Sequence, residues 1–335
     1  MIQQAIYKVL NKENLSLDMT KSVMDEIMSG NATNAQIAGF ITSMRMKGET
    51  IDEITACAMV MRDYGKKLKH EGDVLDIVGT GGDEAFTFNI STISAFVISA
   101  AGIPVAKHGN RSVSSKCGSA DVLETLGVKI DIPQEKSEQI LKEIGLCFMF
   151  APYYHSSMKY AGPVRKELGV RTIFNILGPL ASPAEANLQL LGVYDENLVE
   201  PMARVLANLG IKRAMVVHGH DGLDEITLTT KSTVCEVNNG QTNSFFLDPH
   251  QFGFEYCKPE DLTGGDPACN ADIARRILSG EKGPKRDIVL LNSAVCLYMS
   301  YNNITLRECV KLAAYMIDSG KAMEQLNKFI KLSNE

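Results

Sequence analysis

Three short segments of the sequence have residue types that suit binding of a phosphorylated ligand. The first is the loop Gly79–Asp83 (GTGGD), which follows a β-rich run and precedes an apolar helical pattern. The backbone amides of a glycine loop and the N-terminus of the following helix can together bind phosphate. The loop does not match a dinucleotide-binding fingerprint, because Glu84 stands where the third small residue belongs, and it lacks the Gly-Lys-Ser/Thr of a nucleotide-binding P-loop. A tight turn without a ligand is the alternative interpretation.

The second segment, residues 107–116, is basic. It contains Lys107, Arg111 and Lys116, with no acidic residue before Asp121, and glycine and serine residues fill most of the gaps. Most charged runs are only solvated surfaces. This one follows a predicted strand, and ligands of parallel sheets bind at the carboxyl ends of strands. We therefore interpret it as a local concentration of positive charge that faces an anionic ligand.

Asn89, Ser91 and Thr92 lie between these segments, where the predicted helix begins. Their amide and hydroxyl groups could bind phosphate oxygens or a hard metal ion. N-capping of the helix is the alternative interpretation, since Asn and Ser are favoured caps.

The third segment contains the adjacent carboxylates Asp224 and Glu225, which follow a predicted strand at 214–218. Mg²⁺ prefers oxygen ligands and commonly binds through one or two carboxylates together with phosphate oxygens of the substrate. A polar turn is the alternative interpretation. His218 and His220 are interpreted as turn and packing residues, because the proposed site has hard oxygen ligands.

The elements that must position these segments fall into two classes. The first 65 residues contain helix signals, including capping boxes of Thr33 with Gln36 and of Thr50 with Glu53. Three glycines are predicted to end helices with a positive φ: Gly30, Gly48 and Gly65.

Strands and helices alternate from about residue 72 onwards. Strands are predicted at 74–78, 103–106, 146–150, 188–193 and 214–218, and helices at 91–101, 134–144 and 198–209. This alternation predicts a mostly parallel sheet with helices on its faces. Residues 232–256, with an Asn-Asn-Gly turn at 238–240, are predicted to form a hairpin.

We therefore expect an α/β fold in two parts. A small all-helical domain comprises residues 1–70 and is completed by inserted helices at about 156–184. A larger α/β domain comprises residues 71–155 and 185–335, with a mostly parallel central sheet flanked by helices. A cleft between two domains is the usual place for a ligand.

The composition excludes several other classes of protein. The 335 residues are 45% hydrophobic and carry a net charge of -6. This acidity argues against nucleic acid or an anionic membrane as a partner. No apolar run approaches the roughly 18 residues of a membrane-spanning helix, and the N-terminus has no secretory-signal pattern. The eight cysteines form no C-x-x-C pair, which predicts reduced thiols, no zinc site and a cytoplasmic location.

Five segments together resemble signatures of the anthranilate phosphoribosyltransferase family. They are GTGGD at 79–83, NIST at 89–92, the basic segment extended to 107–128, PVRKELGVRTIFNILGPL at 163–180 and HGHDGLDEIT at 218–227. The resemblance implies transfer of phosphoribose from 5-phosphoribosyl 1-diphosphate to the amine of anthranilate, in tryptophan biosynthesis. It also implies Mg²⁺ as cofactor and a homodimer joined through the helical domain.

The resemblance assigns site residues by motif position. It implies that phosphoribosyl diphosphate is bound by Gly79, Gly82, Asp83, Thr87, Asn89, Ile90, Ser91, Thr92, Lys107, His108, Gly109, Asn110, Arg111, Ser112, Val113, Ser114, Ser115 and Ser119. Anthranilate would be bound by Gly79, Asn110 and Arg165, and Mg²⁺ by Ser91, Asp224 and Glu225. The residues themselves give no sign of a role for Arg165, which reads as an arginine on a helix surface.

No covalent nucleophile or strong general base is expected, because an aromatic amine is neutral at pH 7. Lys107 and Mg²⁺ would instead stabilise the departing diphosphate. The chain departs from the family pattern at two positions, where Ser156 replaces a proline and Ser182 an asparagine. Loss of the proline relaxes a φ restraint near the expected anthranilate entrance.

Three alternative functions would each be marked by other sequence features than those of this chain. A pyrimidine-nucleoside phosphorylase shares the fold but has different phosphate signatures. A non-catalytic, nucleic-acid-binding relative should have a basic face and eroded motifs. A type I phosphoribosyltransferase should carry a Thr-Gly-Gly loop after its acidic pair, where this chain has Ile-Thr-Leu-Thr-Thr.

Overall fold

The computed structural model describes residues 1–112 and 116–335. The described chain begins with a helical part made of α1 (Ile2–Leu10), α2 (Leu17–Met28), α3 (Asn34–Lys47) and α4 (Ile51–Tyr64). Both predicted capping boxes are present, at the N-termini of α3 and α4. Each box satisfies backbone donors that the first helical turn leaves unpaired.

The helix ends agree with two of the three glycine predictions. Gly30 and Gly48 have φ values of 81° and 88°. The prediction for Gly65 is wrong, because its φ is -78° and its backbone is extended. A Cβ at Gly65 would lie 3.1 Å from the ring of His155, so this position accommodates a close approach between chain segments.

The described residues contain one seven-stranded sheet. Its strands are β1 (Leu75–Gly79), β2 (Val105–Gly109), β3 (Leu146–Phe150), β4 (Leu188–Gly192), β5 (Arg213–Gly219), β6 (Ser232–Asn238) and β7 (Gln241–Leu247). The spatial order is β3-β2-β1-β4-β5-β6-β7. The first five strands are parallel, whereas β5, β6 and β7 pair antiparallel. The mostly parallel sheet and the hairpin are therefore confirmed.

The remaining helices cover the sheet or lie beside it. They are α5 (Ile90–Ala100), α6 (Ser119–Leu126), α7 (Gln134–Ile144), α8 (Ala151–Tyr154), α9 (Met158–Leu168), α10 (Phe174–Leu180), α11 (Val199–Asn208), α12 (Pro267–Leu278), α13 (Pro284–Ser300), α14 (Leu306–Asp318) and α15 (Lys321–Asn334). Across the described ranges, none of the helices has the length and apolar character to cross a membrane.

The two faces of the sheet belong to different cores, because successive side chains of a strand point to opposite faces. Leu190 and Val217 pack in a core with α5 and α13. Leu191 and Val216 pack in a second core with α11 and the helical part.

The inserted helices α9 and α10 pack with the first four helices. Ala161 of α9 and Leu177 of α10 are fully buried in the second core beside residues of α2, α3 and α4. This packing brings a segment that is distant in sequence over the carboxyl-end edge of the sheet.

Candidate active site

The site is built where β1 and β4 end side by side. Gly79 pairs with Gly192 at the last register position of these strands. The chain continues from β1 to β2 on one side, and β4 leads to β5 on the other, so this is a topological switch point where α/β proteins bind ligands. The glycine loop after β1 therefore lies at the position of the sheet where a ligand is expected.

Asp224 fills the space beside both glycines. A Cβ on Gly79 would lie 2.9 Å from Cγ of Asp224, and a Cβ on Gly192 would overlap the Asp224 carbonyl group. The backbone N–H of Gly81 donates a hydrogen bond to Oδ2 of Asp224 at 2.7 Å. The glycine loop and the acidic pair, 143 residues apart in sequence, are thus parts of one structure.

Burial and neighbouring negative charge raise the pKa values of both members of the acidic pair. Burial raises the pKa of Glu225 to about 7, with Lys107 opposing the shift. Burial raises the pKa of Asp224 well above its usual value, and the charges of Asp83 and Glu225 add to that rise. Close carboxylates in a desolvated position favour a bound cation, which would offset their mutual repulsion.

The chemistry of these donors fits Mg²⁺ that is shared with a ligand. The backbone and hydroxyl groups of Ser91 lie near enough to Glu225 to lower its pKa, so Ser91 also borders the carboxylates. In the described part of the chain, no group of three or more His, Cys, Asp or Glu side chains is arranged as a metal site. Mg²⁺ typically binds through one or two carboxylates together with substrate phosphates and water, and it needs no complete protein cage.

Lys107 is buried beside the acidic pair. Its Nζ donates hydrogen bonds to the carbonyl oxygen of Ile77 and to Oγ of Ser91, at 2.5 and 3.2 Å. Burial lowers the pKa of Lys107, while the charges of Asp76 and Glu225 oppose that shift. Lys107 is therefore a single desolvated cation with carboxylates as its electrostatic partners.

The three cations of the basic segment lie in different surroundings. Lys107 is buried, whereas Lys116 is exposed. Arg111 forms ion pairs with Glu124 at 2.5 Å and with Asp121 at 3.2 Å. The acidic residues lie just beyond the basic segment in sequence, and helix α6 brings them back against it.

Asn89 occupies the N-cap position of α5, but its side chain makes no capping hydrogen bond, so side-chain capping by this residue is wrong. Its Nδ2 donates to the carbonyl oxygen of Cys117 at 3.1 Å, and its Oδ1 accepts from Nδ2 of Asn270 at 2.9 Å. Ile90 and Thr92, which follow in α5, are buried. Asn89 therefore links the start of α5 to the segment before α6 and to α12.

The other predicted phosphate contacts lie on the loops around this edge. Thr87 forms a backbone bridge with Thr263. The hydroxyl of Ser119 donates to the carbonyl oxygen of Asn110 at 3.2 Å, and the N–H of Ser112 donates to Asp121 at 3.0 Å. Three predicted contacts, Val113, Ser114 and Ser115, lie outside the described residues.

His108 is buried on β2 and faces His155, with their ring centroids 5.2 Å apart. Burial lowers the pKa of His108 to about 3, and the neighbouring His155 adds to the effect. A neutral imidazole at this position can donate or accept a hydrogen bond but contributes no positive charge at pH 7.

Arg165 lies on α9 and is half-buried, so the expectation of a surface arginine is wrong. Its guanidinium lies over the ring of Phe174, 5.5 Å from the centroid, and burial lowers its pKa. The helical insertion thus places a partly desolvated cation in the segment that covers the sheet edge.

Arg171 contacts the glycine loop and was not assigned to the site from the sequence. Its guanidinium donates a hydrogen bond to the carbonyl oxygen of Gly82 and lies 4.3 Å from the ring centroid of Tyr194. It also lies 3.8 Å from the carboxylate of Glu84. These partners lie in two segments that are both distant from Arg171 in sequence, so no local spacing could have identified the contact.

Comparisons with known proteins agree with this architecture. Residues 3–65 match the helical bundle domain of a glycosyl transferase family, and residues 71–323 match the α/β domain of that family. The anthranilate phosphoribosyltransferase of Ruminiclostridium cellulolyticum is 72% identical over 334 residues, which cover 100% of this chain and 98% of the relative. The chain belongs to the anthranilate phosphoribosyltransferase family. A family member from Endomicrobium trichonymphae is 65% identical, with 100% of both chains covered.

Solved structures of anthranilate phosphoribosyltransferases have the same fold. The Thermus thermophilus enzyme is 40% identical and superposes with a TM-score of 0.94, covering 99% of both chains. The Saccharomyces cerevisiae enzyme in complex with PRPP and Mg is 29% identical, with a TM-score of 0.90 and 99% and 98% coverage. The predicted fold, a helical bundle domain joined to a larger α/β domain, is therefore confirmed.

Proposed function

We propose that this chain transfers the phosphoribosyl group of 5-phosphoribosyl 1-diphosphate to the amine of anthranilate. The products are N-(5-phosphoribosyl)anthranilate and diphosphate, and the reaction belongs to tryptophan biosynthesis. The observation that carries the proposal is the meeting of the Gly79–Asp83 loop with Asp224, Glu225 and the buried Lys107 at one sheet edge. The arrangement suits a ligand with a diphosphate and a divalent cation.

The proposed mechanism is displacement of diphosphate from ribose C1 with inversion. Negative charge accumulates on the leaving group, and Lys107 and the amides of the glycine loop would stabilise it. Because Lys107 is already held by Ile77 and Ser91, little reorganisation is needed when that charge develops. The low pKa of His108 keeps its ring neutral, which agrees with a reaction that needs no strong base.

Asp224, Glu225 and Ser91 would hold Mg²⁺ against the diphosphate. The bound ion would supply positive charge that neutralises the leaving group. A relative from Saccharomyces cerevisiae has been solved with PRPP and Mg, which supports this assignment. The remaining residues assigned above by motif position would bind the phosphates and ribose.

Anthranilate would bind on the helical side of the site, near Gly79, Asn110 and Arg165. Its carboxylate needs a cation, and the half-buried guanidinium of Arg165 is suited to that task because partial desolvation strengthens ionic contacts. Substrate held between two domains also loses contact with water, which favours attack by the amine.

We also propose the division into a helical domain, 1–70 with 156–184, and an α/β domain, 71–155 with 185–335. The packing of α9 and α10 with α2–α4 supports that division. Exposed apolar residues of the helical domain, including Tyr7 and Met46, suit a homodimer joined through this domain. Buried free thiols such as Cys57 and Cys296 suit a cytoplasmic location.

The proposed reaction can be followed by the loss of anthranilate fluorescence. We expect depletion only when protein, phosphoribosyl diphosphate and Mg²⁺ are all present, and none after addition of excess EDTA. Thymidine with inorganic phosphate serves as the alternative substrate pair. Phosphorolysis of thymidine without depletion of anthranilate would reject the proposal in favour of a nucleoside phosphorylase.

The metal assignment is tested by the double variant Asp224→Asn, Glu225→Gln. We expect it to fold, because the amides retain the shape of both side chains, and to lose Mg²⁺-dependent turnover. An unchanged kcat across a Mg²⁺ titration would reject this assignment. The dimer and its interface are tested by light scattering of the wild-type chain and of Tyr7→Asp, which should dissociate it.

A further inference from the structure

Asp76 is a fully buried carboxyl that the proposed mechanism does not use. It lies on β1, three residues before Gly79, with 0% of its surface exposed. Its Oδ1 accepts a hydrogen bond from the backbone N–H of His108 at 3.1 Å. Its Oδ2 has no hydrogen-bond partner among the described residues. A buried carboxyl in such surroundings is costly, so its presence requires a reason.

The pairing of the strands indicates that reason. Between β1 and β2 the register contains one residue pair, Leu75 with Val105. By contrast, β1 pairs with β4, and β2 with β3, over five residue pairs each. The carboxyl end of β2, which carries the predicted site residues, therefore has little backbone pairing to β1.

Two side chains join the strands where the ladder is missing. Asp76 on β1 binds the backbone N–H of His108 on β2, and Lys107 on β2 binds the backbone carbonyl of Ile77 on β1. Lys107 also faces the proposed diphosphate site, whereas Asp76 has no proposed contact with substrate and only joins the two strands. Its contact fixes the distance between the end of β2 and the glycine loop.

The groups around Asp76 come from three parts of the chain. Lys107 of β2 lies near enough to lower the pKa of Asp76, although burial dominates and raises it to about 7. Ser182, which follows α10 in the insertion, also faces the carboxyl. The Ser182 hydroxyl itself makes no hydrogen bond within the described part of the chain. Asp76 thus lies where both site-bearing strands meet the helical insertion.

We infer that Asp76 is a positioning residue of the proposed active site, whose carboxyl oxygen holds the end of β2, with Lys107 and Asn110, against β1. The inference rests on the proposed function. It predicts that the hydrogen-bond acceptor matters more than the negative charge, because the contact is to a backbone amide.

The test compares three substitutions in the full-length chain. Asp76→Leu keeps the branched shape, removes the acceptor and places no charge at position 76, and Glu225 remains as a partner of Lys107, so the variant should fold. Asp76→Asn keeps an acceptor oxygen for the N–H of His108. Asp76→Ala removes both shape and acceptor. Glu53→Ala, in the helical domain, provides a destabilised control far from the site.

We expect Asp76→Leu and Asp76→Ala to lower kcat by about tenfold to a hundredfold, because small misplacements of reacting groups have effects of that size. Asp76→Asn should keep kcat within about threefold of wild type, because it retains the acceptor oxygen. Loss of one strong hydrogen bond would instead change kcat by about tenfold. Glu53→Ala should lower Tm and leave kcat unchanged well below its Tm. A wild-type kcat in Asp76→Leu, or an Asn variant as impaired as Leu, would overturn the inference.

Hydrogen–deuterium exchange supplies a readout that is independent of activity. In Asp76→Leu, amides of 105–110 should exchange at least about tenfold faster than in wild type, since the hydrogen bond from His108 to Asp76 helps to hold this end of β2 against β1. Amides of β4 should remain unchanged. Unchanged exchange at 105–110 would overturn the inference even if the wild-type chain proved inactive, whereas wild-type inactivity alone would reject only the proposed function.

Discussion

Substitution of Gly79 by alanine tests the closest approach in the site. The added Cβ would lie 2.9 Å from Cγ of Asp224, closer still to its Oδ2, and 3.3 Å from its backbone oxygen. Carbon atoms reach their optimal separation at about 3.5–4.0 Å, so the Asp224 carboxyl must move by about 1 Å. The φ of Gly79 is not positive, so the substitution acts through this contact and not through backbone strain.

The displacement should affect both stability and activity. It removes the 2.7 Å hydrogen bond from Gly81 to Asp224, which is worth about 1.5–3 kcal/mol as a bond to a charged group. A 1 Å misplacement of a group that orients the reacting atoms can cost about a hundredfold in rate. We therefore expect Gly79→Ala to lower kcat/KM about a hundredfold and to raise the Mg²⁺ concentration at half-maximal rate.

The assay is the initial rate of anthranilate depletion, measured across a Mg²⁺ titration at saturating phosphoribosyl diphosphate. Gly162→Ala is the matched control, because its Cβ would meet nothing within 4 Å and its helical position favours alanine. The control should keep wild-type kinetics. A change of 1.36 kcal/mol in the activation free energy alters the rate about tenfold. If Gly79→Ala also kept its kcat/KM and Mg²⁺ dependence within about twofold of wild type, well below that size, the proposed role of Asp224 would be refuted.

Three further predictions concern other parts of the molecule. Arg171→Met should raise the KM for phosphoribosyl diphosphate about tenfold, because Gly82 loses its tether; steady-state kinetics with exposed Arg204→Met as control would contradict this if the two variants matched. Glu53→Ala should lower the free energy of unfolding by about 3–5 kcal/mol, since it leaves the buried Lys47 unpaired. Urea denaturation should show a loss nearer 1 kcal/mol for the exposed capping-box control Glu308→Ala. Because folding raises the pKa of Asp76 to about 7 from 3.8, the folded chain binds the extra proton between these values. Its stability relative to Asp76→Asn should therefore fall as pH rises from 4 to 7, by up to about 4 kcal/mol; parallel stability profiles would contradict this.

The sequence by itself determined the type and order of the elements. Capping boxes at α3, α4 and α14 and the Asn-Gly turn between β6 and β7 follow from hydrogen bonds within a few residues. The predicted bounds of α7 and β3 agree with the structure because each is marked by local residues at both ends. The glycine loop and the acidic pair were visible for the same reason, since each is a short segment after a strand.

Only the tertiary structure decided which charges face the site. Arg111 pairs with acids of α6, and Arg165 is half-buried on α9 of the insertion, because packing sets exposure. Arg171 and Asp76 act through backbone atoms of distant segments, and a backbone carbonyl or amide has no residue-type signal in the sequence. The short pairing between β1 and β2, with one residue pair, likewise joins distant segments and has no signal in the sequence.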